Sequence, residues 1–398
     1  MPVTAAGTLE ATRRPPLAFI YSVTVTGILA NALIAAPLPD ILDYFDQPDA
    51  AGGLVIAAAT LPGIVMAPVI GGLAGGYGRR PGLVPGLVIG GFAGLAAGLA
   101  PTFELLVIAR LAQGVGSAGL INLAVVLIGD HWHGNERARL IGYNAAVLTV
   151  SIAILPTVSG VLDQIGGWRW SFAPYVLALG TATAALRFVD KGRPHAPPPL
   201  LRQIRSSVGL LREPLLSGSI AFGFVLFALI FGLFLTVMPL VFERDFGLEP
   251  GVRGLALSTP ALTATAAALL LGRTRRRLGP RRLMLVGIVV LAAGFGAIGL
   301  ATVLVFVLIG ALLYGFGEGS ALPTAQDLVA GAAPPEARGA MVALWVGSAR
   351  AGQTAGPLLG ATLLDSHGYR PLFLGAAAAC AMMATLVWRT PPRWYPTS

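Results

Sequence analysis

The chain has 398 residues, of which 55% are hydrophobic and 11% charged, with a mean hydropathy of +0.77, whereas a soluble domain carries about 25% charged residues. That balance excludes a soluble domain and describes a chain whose solvent is lipid. The net charge of +9 does not call for a nucleic-acid partner, because no segment interleaves bases with aromatics in a soluble module.

Apolar runs of about 20 residues, each long enough to cross a hydrocarbon core of about 30 Å, predict twelve spans. They fall near residues 17–39, 52–74, 82–100, 104–128, 138–162, 170–189, 215–241, 252–272, 283–301, 303–328, 339–363 and 371–388. The first run leads into a second span rather than a small-residue cleavage site, so it is expected to be a helix and not a removable signal peptide. With both termini inside, the bases fall in cytoplasmic segments: Arg79 and Arg80, Arg137 and Arg139, the 187–212 set, the Arg273–Arg282 cluster and Arg338. The opposite loops hold acids, among them Asp40, Asp43, Asp49, Glu243 and Glu249. Orientation follows from the positive-inside rule. The single cysteine, Cys380, excludes disulfides and thiolate metal sites, and His131 and His133 are two apart, a spacing that aims them at different helix faces. No metal and no cofactor is expected.

Residues 189–214 form the only sizeable polar stretch, rich in Pro and Arg. They read as a cytoplasmic linker between an N-terminal half (1–188) and a C-terminal half (215–398), with a short surface helix near 200–211. The halves align at one offset. Gly114-Val115-Gly116 matches Gly315-Phe316-Gly317 (315 − 114 = 201), and Arg137–Arg338, Pro156–Pro357, Gly167–Gly368, Phe172–Phe373 and Gly78–Gly279 share it. A constant shift over features this far apart marks a duplication. The expected fold is therefore an all-α integral membrane protein of twelve transmembrane helices in two six-helix repeats. Parallel repeats of this kind place a substrate path between the halves near the midplane.

At this point the sequence resembles the major facilitator superfamily, and within it the twelve-helix drug:proton antiporter branch. Gly71-Gly72-Leu73-Ala74-Gly75-Gly76-Tyr77-Gly78-Arg79-Arg80 is similar to the family's loop motif between spans two and three. Arg110 to Gly116 is similar to the fourth-helix motif, and Pro156 to Gly160 to the antiporter motif. The departures are specific: Gly75 stands where the family carries an aspartate that faces the start of helix eleven, and Leu155 and Ser159 stand where it prefers glycine. The resemblance implies that the latch supplied by that aspartate is missing, so the outward-facing state is expected to be less favoured than in relatives. It also implies a role for Arg110 in coupling proton movement to conformation.

The repeat acts as a filter, since a residue that maintains the fold tends to recur in both halves. Glu318 falls on Ser117, Arg350 on Thr149, and Arg110 on Ala311, so all three intramembrane charges break the symmetry. An acid in a membrane span costs roughly 2.5–3.5 kcal/mol on insertion scales and is a functional candidate for that reason. Glu318 is expected to be the proton site, or else half of a structural pair with Arg350 at the same depth. Arg350 is expected to be that partner or an anion contact. Arg110 is either the coupling residue or a carbonyl-bonded tie between helices, with Asp40 as its nearest acid.

Substrate contacts are expected from Arg350, Asn31, Gln113, Asn122, Asn144 and Gln353, with an apolar wall from Tyr21, Phe222, Phe227, Phe231, Phe234 and Trp345. Gly71, Gly75, Gly78, Arg79, Arg80, Pro156, Gly160 and Pro357 are expected to govern conformation, and Asp327 to pair with the Arg273–Arg282 cluster. The functional expectation is a monomeric, proton-coupled exporter of small amphipathic organic molecules, not an enzyme, in a bacterial inner membrane. The alternatives are a symporter taking up an organic anion and a transport-dead sensor or lipid-binding protein.

Overall fold

The computed structural model describes residues 14–190, 212–332 and 338–391. The expected linker helix at 200–211 lies outside them. The described residues form twelve helical passes: α1 (Leu17–Ala32, resumed as Leu38–Tyr44), α2 (Gly52–Gly76), α3 (Arg79–Gly98), α4 (Phe103–Ser117, resumed as Leu120–His131), α5 (Gly134–Gly166) and α6 (the 3-10 stretch Trp168–Tyr175 running into Val176–Phe188). The second half follows with α7 (Pro214–Leu229 continuing to Met238–Arg244), α8 (250–278), α9 (280–300), α10 (Leu304–Ala332), α11 (Arg338–His367) and α12 (Tyr369–Arg389).

The interruptions follow from residue chemistry. Pro37 and Pro39 cannot donate backbone bonds into a continuing helix, and α1 breaks just before them. In α7, Ile230–Val237 is π-helical, a widening that turns the side chains beyond it to a different face. Gly279 has φ 74°, a value that only glycine adopts without strain, and Pro280 then starts α9.

The offset of 201 read from the sequence recurs in the backbone. Gly78 and Gly279 take φ 93° and 74° at the α2–α3 and α8–α9 turns, and Gly167 and Gly368 take 80° and 74° at the α5–α6 and α11–α12 turns. It recurs in packing as well. Gly114 seats α4 on the carbonyl of Ala59, and Gly315 seats α10 on that of Pro260. Gly116 lies on Gly86 and Gly90, and Gly317 on Gly287 and Leu291. A Cβ at any of these four positions would overlap backbone, so the glycines are what let the helices approach.

The halves meet through one such pair. Gly53 of α2 lies against the carbonyl of Pro357 in α11, and Gly254 of α8 lies against that of Pro156 in α5. Both contacts lie toward the end of the bundle that carries Asp40, Asp43, Glu243 and Glu249, called here the acidic end; the other is the basic end. Among the described residues the apolar core joins the halves toward the acidic end, where Leu29, Ile41, Val55 and Trp168 meet Phe231, Phe242 and Phe295. At the basic end it splits into a cluster within the first half (Phe19, Leu83, Leu127, Trp132) and another within the second (Leu216, Val329, Met341, Trp345).

Polar contacts divide in the same way. Arg253 pairs with Asp40, Arg244 with Asp43 and Asp49, and Gln164 donates to Glu249, all across the halves at the acidic end. At the basic end the ion pairs among the described residues stay within a half, Arg79 with Asp130 at 2.8 Å and Arg275 with Asp327 at 2.6 Å. The second of these meets the expectation for Asp327. Among the described residues, then, the packed contacts and ion pairs between the halves gather at the acidic end, which is closed.

Candidate functional site

Between the halves, below the closed end, lies a cavity of ≈ 130 Å³. Its walls include Ile121 and Asn122, just past the break in α4, Phe227 of α7, and Trp345, Arg350 and Gln353 of α11. Trp345 and Phe227 meet edge to face with centroids 6.0 Å apart, and the indole edge fits against α7 because residue 223 is glycine. Trp345 is only 4% exposed and its Nε1 has no hydrogen-bond partner among the described residues. Arg350 reaches past Gly63 of α2, and its Nη1 donates to Gln353 Oε1 at 3.1 Å. Gln353 and Thr354 are fixed in turn by Thr60 of α2, whose hydroxyl lies 3.2 Å from the Gln353 carbonyl and 3.0 Å from the Thr354 hydroxyl.

The expected Glu318–Arg350 pair is not formed among the described residues. Glu318 lies instead beside the hydroxyl of Tyr314, one turn back on α10, and Tyr314 is stacked on Phe234 at 4.4 Å. The reason is rotational. Gly315, Gly317 and Gly319 press α10 onto α8 and α9, which fixes the direction in which Glu318 points. Depth along the helix placed the two charges at one level but did not set that direction.

Arg110 is fully buried and is held by three bonds: Nε to Val55 O (3.1 Å), Nη1 to Gln113 Oε1 (2.7 Å) and Nη2 to Ala30 O (2.8 Å). Ala30 lies in the last turn of the first part of α1, where terminal carbonyls lack helical donors. Arg110 therefore ties α1, α2 and α4 together. Asp40 is not its partner but that of Arg253 in the other half.

The remaining expected contacts divide. Asn122, Trp345, Arg350 and Gln353 come together at the cavity. Asn144 does not line it; buried, it accepts from Thr24 Oγ1 at 2.6 Å and joins α5 to α1. Gln113 is bound to Arg110, and Tyr21 and Asn31 lie elsewhere in the first half. Of the aromatic wall, only Phe227 and Trp345 face the cavity, while Phe222, Phe231 and Phe234 belong to the core. Gly71 and Gly75 lie in the last turns of α2, Arg79 is bound to Asp130, and Pro156, Gly160 and Pro357 form the inter-half contact. Sequence reasoning missed Thr60 and Gly63, small residues whose only signal is their place in α2, and the buried Asp163 and Arg253.

Two six-helix halves around a central cavity can be compared with known proteins. The profile of the Major Facilitator Superfamily matches residues 18–241 and again 220–397. The chain belongs to the major facilitator superfamily. Members of this superfamily are transporters and not enzymes. Among solved structures of the superfamily fold, the nucleoside transporter NupG superimposes with a TM-score of 0.76 at 11% identity, covering 94% of this chain and 99% of that one. A bacterial homologue of the human lysosomal transporter Spinster, in an inward-facing and unoccupied conformation, gives 0.74 at 17% identity, covering 96% and 97%. Curated superfamily relatives include an MFS-type transporter of Metarhizium majus (strain ARSEF 297), 29% identical over 43% of this chain and 31% of its own length. The lincomycin resistance protein of Streptomyces lincolnensis is 41% identical over 20% of this chain and 16% of its own length. Such alignments span about a third or less of these relatives.

Proposed function

We propose that this superfamily member is a proton-coupled exporter of small amphipathic organic molecules that works by alternating access. The observation that carries the reading is the inter-half cavity in which an aromatic pair, Phe227 and Trp345, stands beside a cation, Arg350, and the amides of Asn122 and Gln353. An apolar body packs on the rings while polar groups fix its orientation. Glu318, outside that lining, is the protonation site, and it communicates with the cavity through Tyr314 and the α7–α10 contact. Arg110 serves coupling by holding α1 and α2 as one body with α4.

With the basic loops on the cytoplasmic side, the closed acidic end is the outer one, which supports reading this conformation as inward-facing. That agrees in direction with the loss of the latch at Gly75. A bacterial cytoplasmic membrane is the proposed location, and a monomer the proposed state. One relative is the lincomycin resistance protein of Streptomyces lincolnensis, and a resistance protein among the relatives supports export.

One observation favours a second reading. Arg350 has no carboxylate partner among the described residues, and a half-buried guanidinium without a counter-charge favours an anionic ligand. An organic anion taken up with protons is therefore the alternative. Counterflow in proteoliposomes with an imposed pH gradient separates the two. Export predicts that accumulation runs against the proton flow, and a symporter would accumulate substrate with it.

A further inference from the structure

Three charged side chains meet at the closed acidic end and take no part in the cavity. Arg253 of α8 is wholly buried and pairs with Asp40 of α1 through Nη2, while its Nε and Nη1 have no hydrogen-bond partner among the described residues. Asp163, near the end of α5, is 5% exposed. Its Oδ2 lies 3.9 Å from Arg253 Nη2 and has no donor among the described residues, so its carboxyl and that of Asp40 converge on the same guanidinium nitrogen. The other charged groups close by are Glu243 and Arg244 on α7, Asp43 on α1 and Glu249 at the start of α8. Arg244 is already committed to Asp43, Asp49 and Glu243, and Glu249 to Gln164. No further cation is available to Asp163 among the described residues.

We infer that Asp40 and Asp163 form a shared proton-binding site that governs closure of the acidic end. With both carboxylates ionised, the closed cluster holds two negative charges against one guanidinium, and a buried Asp163 oxygen is left without a donor. One proton shared between the carboxyls removes that excess and supplies the missing hydrogen bond, as in other carboxylate pairs that cannot both ionise at close range. Asp40 is partly exposed, with 36% of its side chain accessible, and gives the proton a route to solvent.

Opening separates Arg253, in the second half, from the two aspartates, in the first. Water then solvates each carboxylate, and the shared proton is no longer required. The closed form thus binds one proton more than the open form. The sign follows by linkage: closure is favoured as pH falls and is lost as pH rises above the ordinary carboxylate range. A proton taken up on closing leaves again on reopening at the same end, so the site carries none across the membrane. It sets the bias of the gate, separately from Glu318.

The test is a pair of spin labels at Leu99→Cys and Leu300→Cys. These exposed residues stand at repeat-equivalent positions of the two halves at the acidic end. Cys380 is buried and stays in place. Distances are read by double electron–electron resonance across pH in a Glu318→Gln background, which removes the other proposed proton site. The open-to-closed ratio is expected to rise about tenfold per pH unit, the slope of one proton. Adding Asp163→Asn, whose amide donates to Asp40 as the protonated acid does, is expected to abolish the slope and hold the end closed. A flat trace in Glu318→Gln alone overturns the proposal, as does a slope that survives Asp163→Asn. Asp40→Asn serves as the second variant and is expected to flatten the trace in the same way.

Discussion

Gly254→Ala places a methyl group where α8 touches the carbonyl of Pro156, with the carbonyl carbon 2.9 Å from the new Cβ and Thr157 Cα 3.0 Å away. Both atoms are backbone and belong to the other half, so no side chain can rotate aside. The overlap exists only while the acidic end is closed. Overpacking a rigid contact costs about 1–3 kcal/mol, which moves the closed-to-open ratio by about 5- to 150-fold. Gly53→Ala, against Pro357, is the repeat equivalent and is expected to act in the same direction. Distance distributions between labels at positions 99 and 300 report the shift directly. Gly116→Ala is the control, because its overlap with Gly86 and Gly90 lies within one half and is present in both states. An unchanged distribution for both Gly254→Ala and Gly53→Ala, or an equal shift for Gly116→Ala, refutes the claim that these glycines set the inter-half contact.

Arg110→Met strands the carbonyls of Ala30 and Val55, each worth about 1–3 kcal/mol when left unsatisfied, and is expected to lower Tm in detergent. An unaltered Tm would remove the structural role. Arg350→Gln is expected to weaken binding of a small aromatic carboxylate by about 10- to 100-fold, the value of a charge-assisted hydrogen bond, and that of a neutral analogue by far less, as measured by scintillation proximity. Gly63→Val crowds the Arg350 stem, 3.4 Å from the first added carbon, and is expected to raise KM while expression stays normal. Gly75→Asp restores the latch acid, worth about 0.3–1 kcal/mol, and is expected to move the 99–300 distances toward the open acidic end by about 2- to 5-fold.

The fold was legible because its signals are one-dimensional. Apolar run length marked the spans, and the offset of 201 reappears as matched positive-φ glycines and matched glycine-on-carbonyl contacts. The site was legible in part. Sequence position gives depth along a helix, which brought Arg350, Gln353 and Trp345 to one cavity. It does not give rotation about the helix axis. The π-helical stretch in α7 re-aims Phe231 and Phe234 into the core, and the rotation of α5 turns Asn144 onto Thr24. Asp163 and Arg253 were missed for a different reason, as they lie at the ends of spans where charges read as loop residues. Their repeat equivalents are Leu364 and Gly52, so the symmetry filter that singled out Glu318 also picks out both once applied to span ends.

On the proposed function, Glu318 couples transport to protons while the cavity beside Arg350 binds the substrate. Glu318→Gln in proteoliposomes tests it most directly, with a small aromatic carboxylate and a small aromatic cation as the two probes. Flux driven by a pH gradient is expected to be lost while gradient-free counterflow of whichever probe is transported continues. Retention of gradient-driven flux in Glu318→Gln would contradict it.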